Sequence, residues 1–152
     1  ASDVYKRQGY IIMGKLNNAT FDGRLDKEPY SIHISADDSN NVTELINFAS
    51  KLDYGKHGFN GNVVDFTMAS TFIKENQDKF IQLMKSSITV GVFQMQMNVI
   101  DSKTLIEAKK NPAKFPNLIV RVWGFSAYFK DLPIEYQDYV IERALKNEAI
   151  NY

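Results

Sequence analysis

The chain of 152 residues contains no cysteine. That excludes disulfides, thiolate metal sites and a cysteine nucleophile within it, and it fits a reducing compartment. Histidine is scarce as well. His33 and His57 stand in different segments, and without a thiol nearby a zinc site built from them is not expected. Lys and Arg together number 18 and so do Asp and Glu, so there is no excess of either sign. A neutral chain lacks the basic footprint of a nucleic-acid or anionic-membrane binder. No apolar run approaches the ~20 residues of a membrane helix, and a cytoplasmic protein is expected. The phosphate-cradling, nucleophile-elbow and zinc-helix motifs are all missing.

What is present has the make-up of one ordinary α/β domain. The hydrophobic fraction is 44% and the charged fraction 24%. Residues 9–34 are irregular, with turn signals at Asn17-Asn18 and Asp22-Gly23. Val42, Leu45, Ile46, Ala49 and Leu52 share one helical face, and Asn41 with Glu44 forms a capping-box pattern. Three glycines between Tyr54 and Asn62 predict a loop. A second helix is predicted from Thr71 to about Lys85, capped by Ser70, with Ile73, Phe80, Ile81 and Met84 as its stripe. From Val90 to Ile100, Met95, Met97 and Val99 alternate with Gln94, Gln96 and Asn98. That period of two predicts a strand with one polar face, which either is buried and needs hydrogen-bond partners or faces water, the commoner arrangement. A short helix from Asp101 or Ser102, a strand over Leu118–Val122 and a closing helix from Leu132-Pro133 to Asn147, capped by Asp131, complete the order. No linker interrupts it, so one compact unit is expected.

The ordinary readings of the remaining polar and aromatic residues are structural. Asp37-Asp38 would favour a helix N-terminus, and Tyr54, Tyr128, Tyr136 and Tyr139 would serve as core or interface aromatics. Two N-x-Thr sequons, at Asn18 and Asn41, carry no accompanying secretory signal. Gly124, taken alone, marks a turn or a positive φ after a strand.

Its surroundings say more. "IVRVWGFSAYF" resembles the glycyl radical signature of the glycyl radical enzymes, the pyruvate formate-lyase superfamily. Arg121, Val122, Gly124 and Phe129 match the pattern. "QMNVIDSKTLIEAKKNPAKFPNLIVRV" resembles the approach to that motif, "DLPIEYQDYVIERAL" the family's closing helix, and "FASKLDY" and "FNGNVVDF" the segments before the radical domain. Trp123 stands where the family has a small residue and Phe125 where it has Tyr, which sets this chain apart from pyruvate formate-lyase itself.

The resemblance implies the C-terminal part of a ten-stranded α/β barrel, with residues 9–152 as the radical domain and the barrel segment before it. It implies a radical on the α-carbon of Gly124, supported by Arg121, Val122, Trp123, Phe125 and Phe129. The apolar neighbours would keep out water and oxygen, and the Arg121 fork would hold the loop. No bound cofactor or metal is implied. A radical S-adenosylmethionine activating enzyme would install the radical, and a cysteine outside this chain would take it up and act on substrate. The parent would be a homodimeric formate acetyltransferase-like enzyme, lyase, dehydratase or decarboxylase of anaerobic metabolism. Its other partners would include neither nucleic acid nor membrane, and the substrate-binding residues are not indicated. "SDVYKRQ" resembles a translated sequencing adapter, so residues 1–8 are expected to be foreign and the protein to extend upstream. The alternative is a stand-alone glycyl radical protein that repairs a damaged pyruvate formate-lyase.

Overall fold

The computed structural model describes residues 9–30, 33–35, 41–52, 63–122 and 124–151. Tyr54, His57, Trp123, Asp37-Asp38 and the glycine-rich stretch around Tyr54 lie outside them, as do residues 1–8. The chain divides into two compact units, residues 1–32 and 33–152, where a single one was expected. The first carries a short helix the sequence pattern did not reveal, α1 (Gly9–Lys15), too brief to show a periodic stripe. Its following turns are held locally. Arg24 donates to the Glu28 carbonyl at 2.7 Å and stacks 4.6 Å from the Tyr30 ring.

The second unit holds strands β1 (Ile34–Ser35), β2 (Val63–Met68) and β3 (Gln94–Val99) in one parallel sheet of order β1-β2-β3. Parallel strands need crossovers. Helix α2 (Val42–Ser50) lies between β1 and β2 in the chain, and α3 (Ser70–Glu75) and α4 (Gln77–Thr89) between β2 and β3. The capping box at Asn41 forms as predicted: Asn41 Oδ1 accepts the Glu44 N–H, and Glu44 accepts the Asn41 N–H. The single helix expected after Ser70 is instead two, broken at Asn76, whose side chain donates to the Phe72 carbonyl. Ser70 is not the cap but the first helical residue. Its hydroxyl donates to Asp101 at 2.5 Å, and Thr71 adds its own hydrogen bonds to the same carboxylate. A cap was thus recruited from 31 residues away, which no local pattern signals.

Central strand β2 is buried on both faces from Val64 to Met68, as expected of a parallel strand covered on each side. On one face Val64, Phe66 and Met68 meet Val42, Leu45, Ile46 and Ala49 of α2, with Phe80, Met84, Met95 and Met97 packed around them. Ile81, expected in this stripe, is exposed instead. The other face presents Asp65 and Thr67, and here the C-terminal elements dock.

Those elements are α5 (Ser102–Lys110), a hairpin of β4 (Ile119–Val122) and β5 (Phe125–Tyr128), and α6 (Ile134–Asn151). Asp131 does not cap α6. It sits in a 3-10 turn (Phe129–Asp131), and Pro133 stands at the boundary, its carbonyl accepting from Tyr136 and Gln137. Helix α6 runs on past Asn147 because Glu148 accepts both the backbone N–H and the hydroxyl of Ser102, pinning the late turn of α6 to the start of α5.

Candidate functional site

Gly124 lies in the two-residue connection of the hairpin, between the paired residues Val122 and Phe125. Its φ is +87°, in the left-handed region where a side chain is strained and glycine is not. The expectation of a positive φ after a strand is therefore met. Val122 is buried on one side of the turn, and Phe129, at the end of β5, is buried almost completely.

The hairpin does not join the parallel sheet through a backbone ladder; it forms a two-stranded sheet of its own. What links it to β3 is the polar face of that strand. Asn98 Oδ1 accepts the Arg121 N–H at 2.7 Å, and Asn98 Nδ2 donates to the Arg121 carbonyl at 2.9 Å. Gln96 Oε1 accepts the Gly124 N–H at 3.2 Å. Gln96 is 7% exposed. Of the two arrangements open to this face, Gln96 takes the buried one, Asn98 is half-buried and Gln94 is exposed. Period-two alternation tells which residues share a face but not what covers it. A buried carboxamide needs partners, and the Gly124 N–H supplies one for its oxygen.

The other proposed support residues divide. The Arg121 guanidinium donates to Ser126 across the hairpin at 3.3 Å, and its own backbone is held by Asn98. The fork therefore ties the two strands together while the amides of β3 tie the hairpin down. Of the apolar neighbours, Val122 and Phe129 are buried, and Trp123 lies outside the described residues. Gly124 is exposed and Phe125 half-buried.

Behind the hairpin runs a crevice lined by Thr67 and Asn98 from the sheet, Arg121 and Val122 from β4, and Tyr136 and Arg143 among the residues from α6. At its base Arg143 donates to Asp65 Oδ2 at 3.0 Å, with Asp65 2% exposed. Burial alone would lower the pKa of Arg143, but the Asp65 carboxylate, aided by Tyr139 and Tyr136, outweighs it, so the pKa is raised. Tyr136 is buried and meets Tyr139 edge to face, ring centres 6.3 Å apart, as expected of packed aromatics. Tyr128, in contrast, is largely exposed, with Lys130 over its ring. Sequence reasoning singled out neither Asp65 nor Gln96 as a site residue. The two glutamines and the asparagine of β3 were the available signal.

The family model described as glycine radical matches residues 32–130, more than half of the chain. The chain belongs to the glycine radical family. Its relatives include trans-4-hydroxy-L-proline dehydratase of Clostridioides difficile, 32% identical over 146 residues, covering 93% of this chain and 18% of the relative. Another is isethionate sulfite-lyase of Oleidesulfovibrio alaskensis, 33% identical, with 88% of this chain and 17% of the relative covered. A third is the glycyl radical subunit of 4-hydroxyphenylacetate decarboxylase of Clostridioides difficile, 37% identical over 86% of this chain and 15% of the relative. Among solved structures, a glycyl radical enzyme from Archaeoglobus fulgidus superposes with a TM-score of 0.76 at 35% identity, covering 88% of this chain and 18% of that one. The glycerol-bound B12-independent glycerol dehydratase from Clostridium butyricum gives the same TM-score at 34% identity, with 88% and 18% covered. This family member thus spans less than a fifth of the length of these relatives. Its mixed fold is that of the C-terminal part of a glycyl radical enzyme barrel. Relatives several times its length do not favour the stand-alone repair protein. Among the described residues no helix is long and apolar enough to cross a membrane.

Proposed function

We propose that this chain is the radical-storing portion of a glycyl radical enzyme and that the radical resides on Gly124. The observation that carries the reading is the hairpin itself. Within the family-matched region it presents a glycine at φ +87°, its N–H held by the buried Gln96 amide and its strand anchored by Asn98.

The chemistry explains the residue type. Loss of one α-hydrogen leaves a planar carbon between an amide nitrogen that donates electron density and a carbonyl that withdraws it, so the unpaired electron is spread over both. A side chain would crowd the hydrogen and clash as the carbon flattens. Glycine, lacking Cβ, does neither. A radical S-adenosylmethionine activating enzyme is the proposed source of the abstracting radical, and the exposure of Gly124 in this chain leaves the α-hydrogen open to it. The stored radical would then take the hydrogen atom of a cysteine thiol, restoring glycine and leaving a thiyl radical that attacks substrate. That cysteine belongs to a part of the enzyme outside this chain, and the same part would cover the exposed turn. The dehydratase, sulfite-lyase and decarboxylase relatives favour elimination or decarboxylation over formate acetyl transfer. A homodimer, a cytoplasmic location and an anaerobic setting accompany this reading.

The test is anaerobic activation of the full-length protein followed by electron paramagnetic resonance. A doublet is expected, from coupling to the one remaining α-hydrogen, and Gly124→Ala should abolish it. A doublet that survives Gly124→Ala would place the radical elsewhere.

A further inference from the structure

The two amides of β3 do different work. Asn98 bonds both the N–H and the carbonyl of Arg121, as a neighbouring strand would. Gln96 makes one bond, to the N–H of the one residue in the turn with a positive φ among those described. Its Nε2 is buried and has no partner among the described residues. Exchanging oxygen for nitrogen would set two donors face to face, so the chemistry fixes which end of the amide meets Gly124.

We propose that Gln96 is a positioning residue of the radical loop, its side-chain amide following the Gly124 N–H as the α-carbon flattens. This rests on Gly124 being the radical site. At φ +87° the Cα–C bond of Gly124 stands nearly perpendicular to the peptide plane on its N-terminal side. A radical on that carbon shares its electron with the amide nitrogen only when the bond lies close to that plane. Gly124 must therefore turn about N–Cα as the hydrogen leaves, and the N–H is re-aimed relative to the rest of the loop. A rigid strand carbonyl would be left behind by that turn. Glutamine has three side-chain torsions and reaches from β3, so its oxygen can stay with the N–H while Asn98 keeps Arg121 in place. Accepting the N–H also pushes electron density onto the nitrogen, which strengthens its donation to the electron-poor carbon. No atom is transferred to or from Gln96 in this step.

The test uses the full-length protein in two states. In the resting state, hydrogen exchange at the Gly124 amide should be about fivefold faster in Gln96→Leu than in wild type, the equilibrium effect of one neutral hydrogen bond. After anaerobic activation with 15N-glycine incorporated, Gln96→Leu should yield about fivefold fewer spins, on the same scale. The nitrogen hyperfine coupling of its residual signal should be reduced. Gln96→Glu keeps an acceptor oxygen and should restore most of the yield and the amide protection, which a residue needed only for packing would not do. Wild-type yield, coupling and exchange in Gln96→Leu would overturn the proposal, and so would a Gln96→Glu protein as impaired as Gln96→Leu. If wild type itself forms no glycine radical, the reading of Gly124 falls. Resting-state exchange then still judges the hold of Gln96 on the loop, and equal exchange in the two proteins refutes it.

Discussion

Asp65 and Arg143 meet at 3.0 Å although 78 residues separate them in the chain. Their side chains are 2% and 14% exposed, so each charge depends on the other for its solvation. Replacing Arg143 with Met would leave a buried carboxylate uncompensated, at a cost of about 3–5 kcal/mol. Removing both charges, as in Asp65→Asn with Arg143→Met, should recover most of that loss. Circular dichroism melts in sulfate, which strengthens apolar burial, would show the single variant far below wild type and the double variant between them. Equal midpoints for the single and double variants would contradict the pairing. None of this was visible in the sequence, because a long-range ion pair leaves no local pattern. Gly124 was visible, since the signature around it and the positive φ it adopts are both properties of a short stretch. Gln96 and Asn98 were half visible: their alternation showed a shared face, but only the folded hairpin shows what that face holds.

At the scale of elements, sequence periodicity placed α2, β3, β4 and α6 within a few residues of their observed ends. It failed where a distant residue decides the boundary. Asp101 is the clearest case, serving the start of α3 rather than its own helix. The Ser70 hydroxyl, with the Thr71 groups, holds the Asp101 carboxyl below its ordinary value of 3.8, outweighing the effect of its partial burial. A carboxyl depressed on folding stabilises the fold above its unfolded pKa, and the contribution is lost as pH falls through the folded value. The stability gap between wild type and Asp101→Asn should thus be constant at neutral pH and close as pH drops below about 4. Melts of both proteins down that range check it, and a gap that widens on acidification would have the wrong sign. At the other cap, Asn41→Ala should cost about 1 kcal/mol, since it removes the Oδ1 that accepts the Glu44 N–H. A variant melting like wild type would show the cap to be idle.

As a whole molecule, the second unit leaves large apolar side chains in solvent. Ile88, Ile134, Phe93, Phe48 and Ile119 are all more than half exposed. Where the rest of a full-length protein would pack against such side chains, the isolated chain leaves them to water, and apolar surface exposed in this way favours association. The isolated chain should therefore aggregate or melt at low temperature, and a cooperative, high-temperature melt of a monomer would contradict that. It should also turn over no substrate, because it holds no thiol to become a thiyl radical. Lyase, dehydratase or decarboxylase turnover by the purified 152-residue chain would refute the mechanism.

The storage of a radical on Gly124 is tested most directly by what oxygen does to it. Oxygen adds to a carbon-centred radical, and the resulting peroxyl fragments the backbone at that residue. The full-length protein, activated without oxygen and then exposed to air, should be cut at Gly124, and mass spectrometry should find a released piece that begins there and carries α6. An activated, radical-bearing protein that stays whole in air, or is cut at another glycine, would show Gly124 to be only the turn of a hairpin.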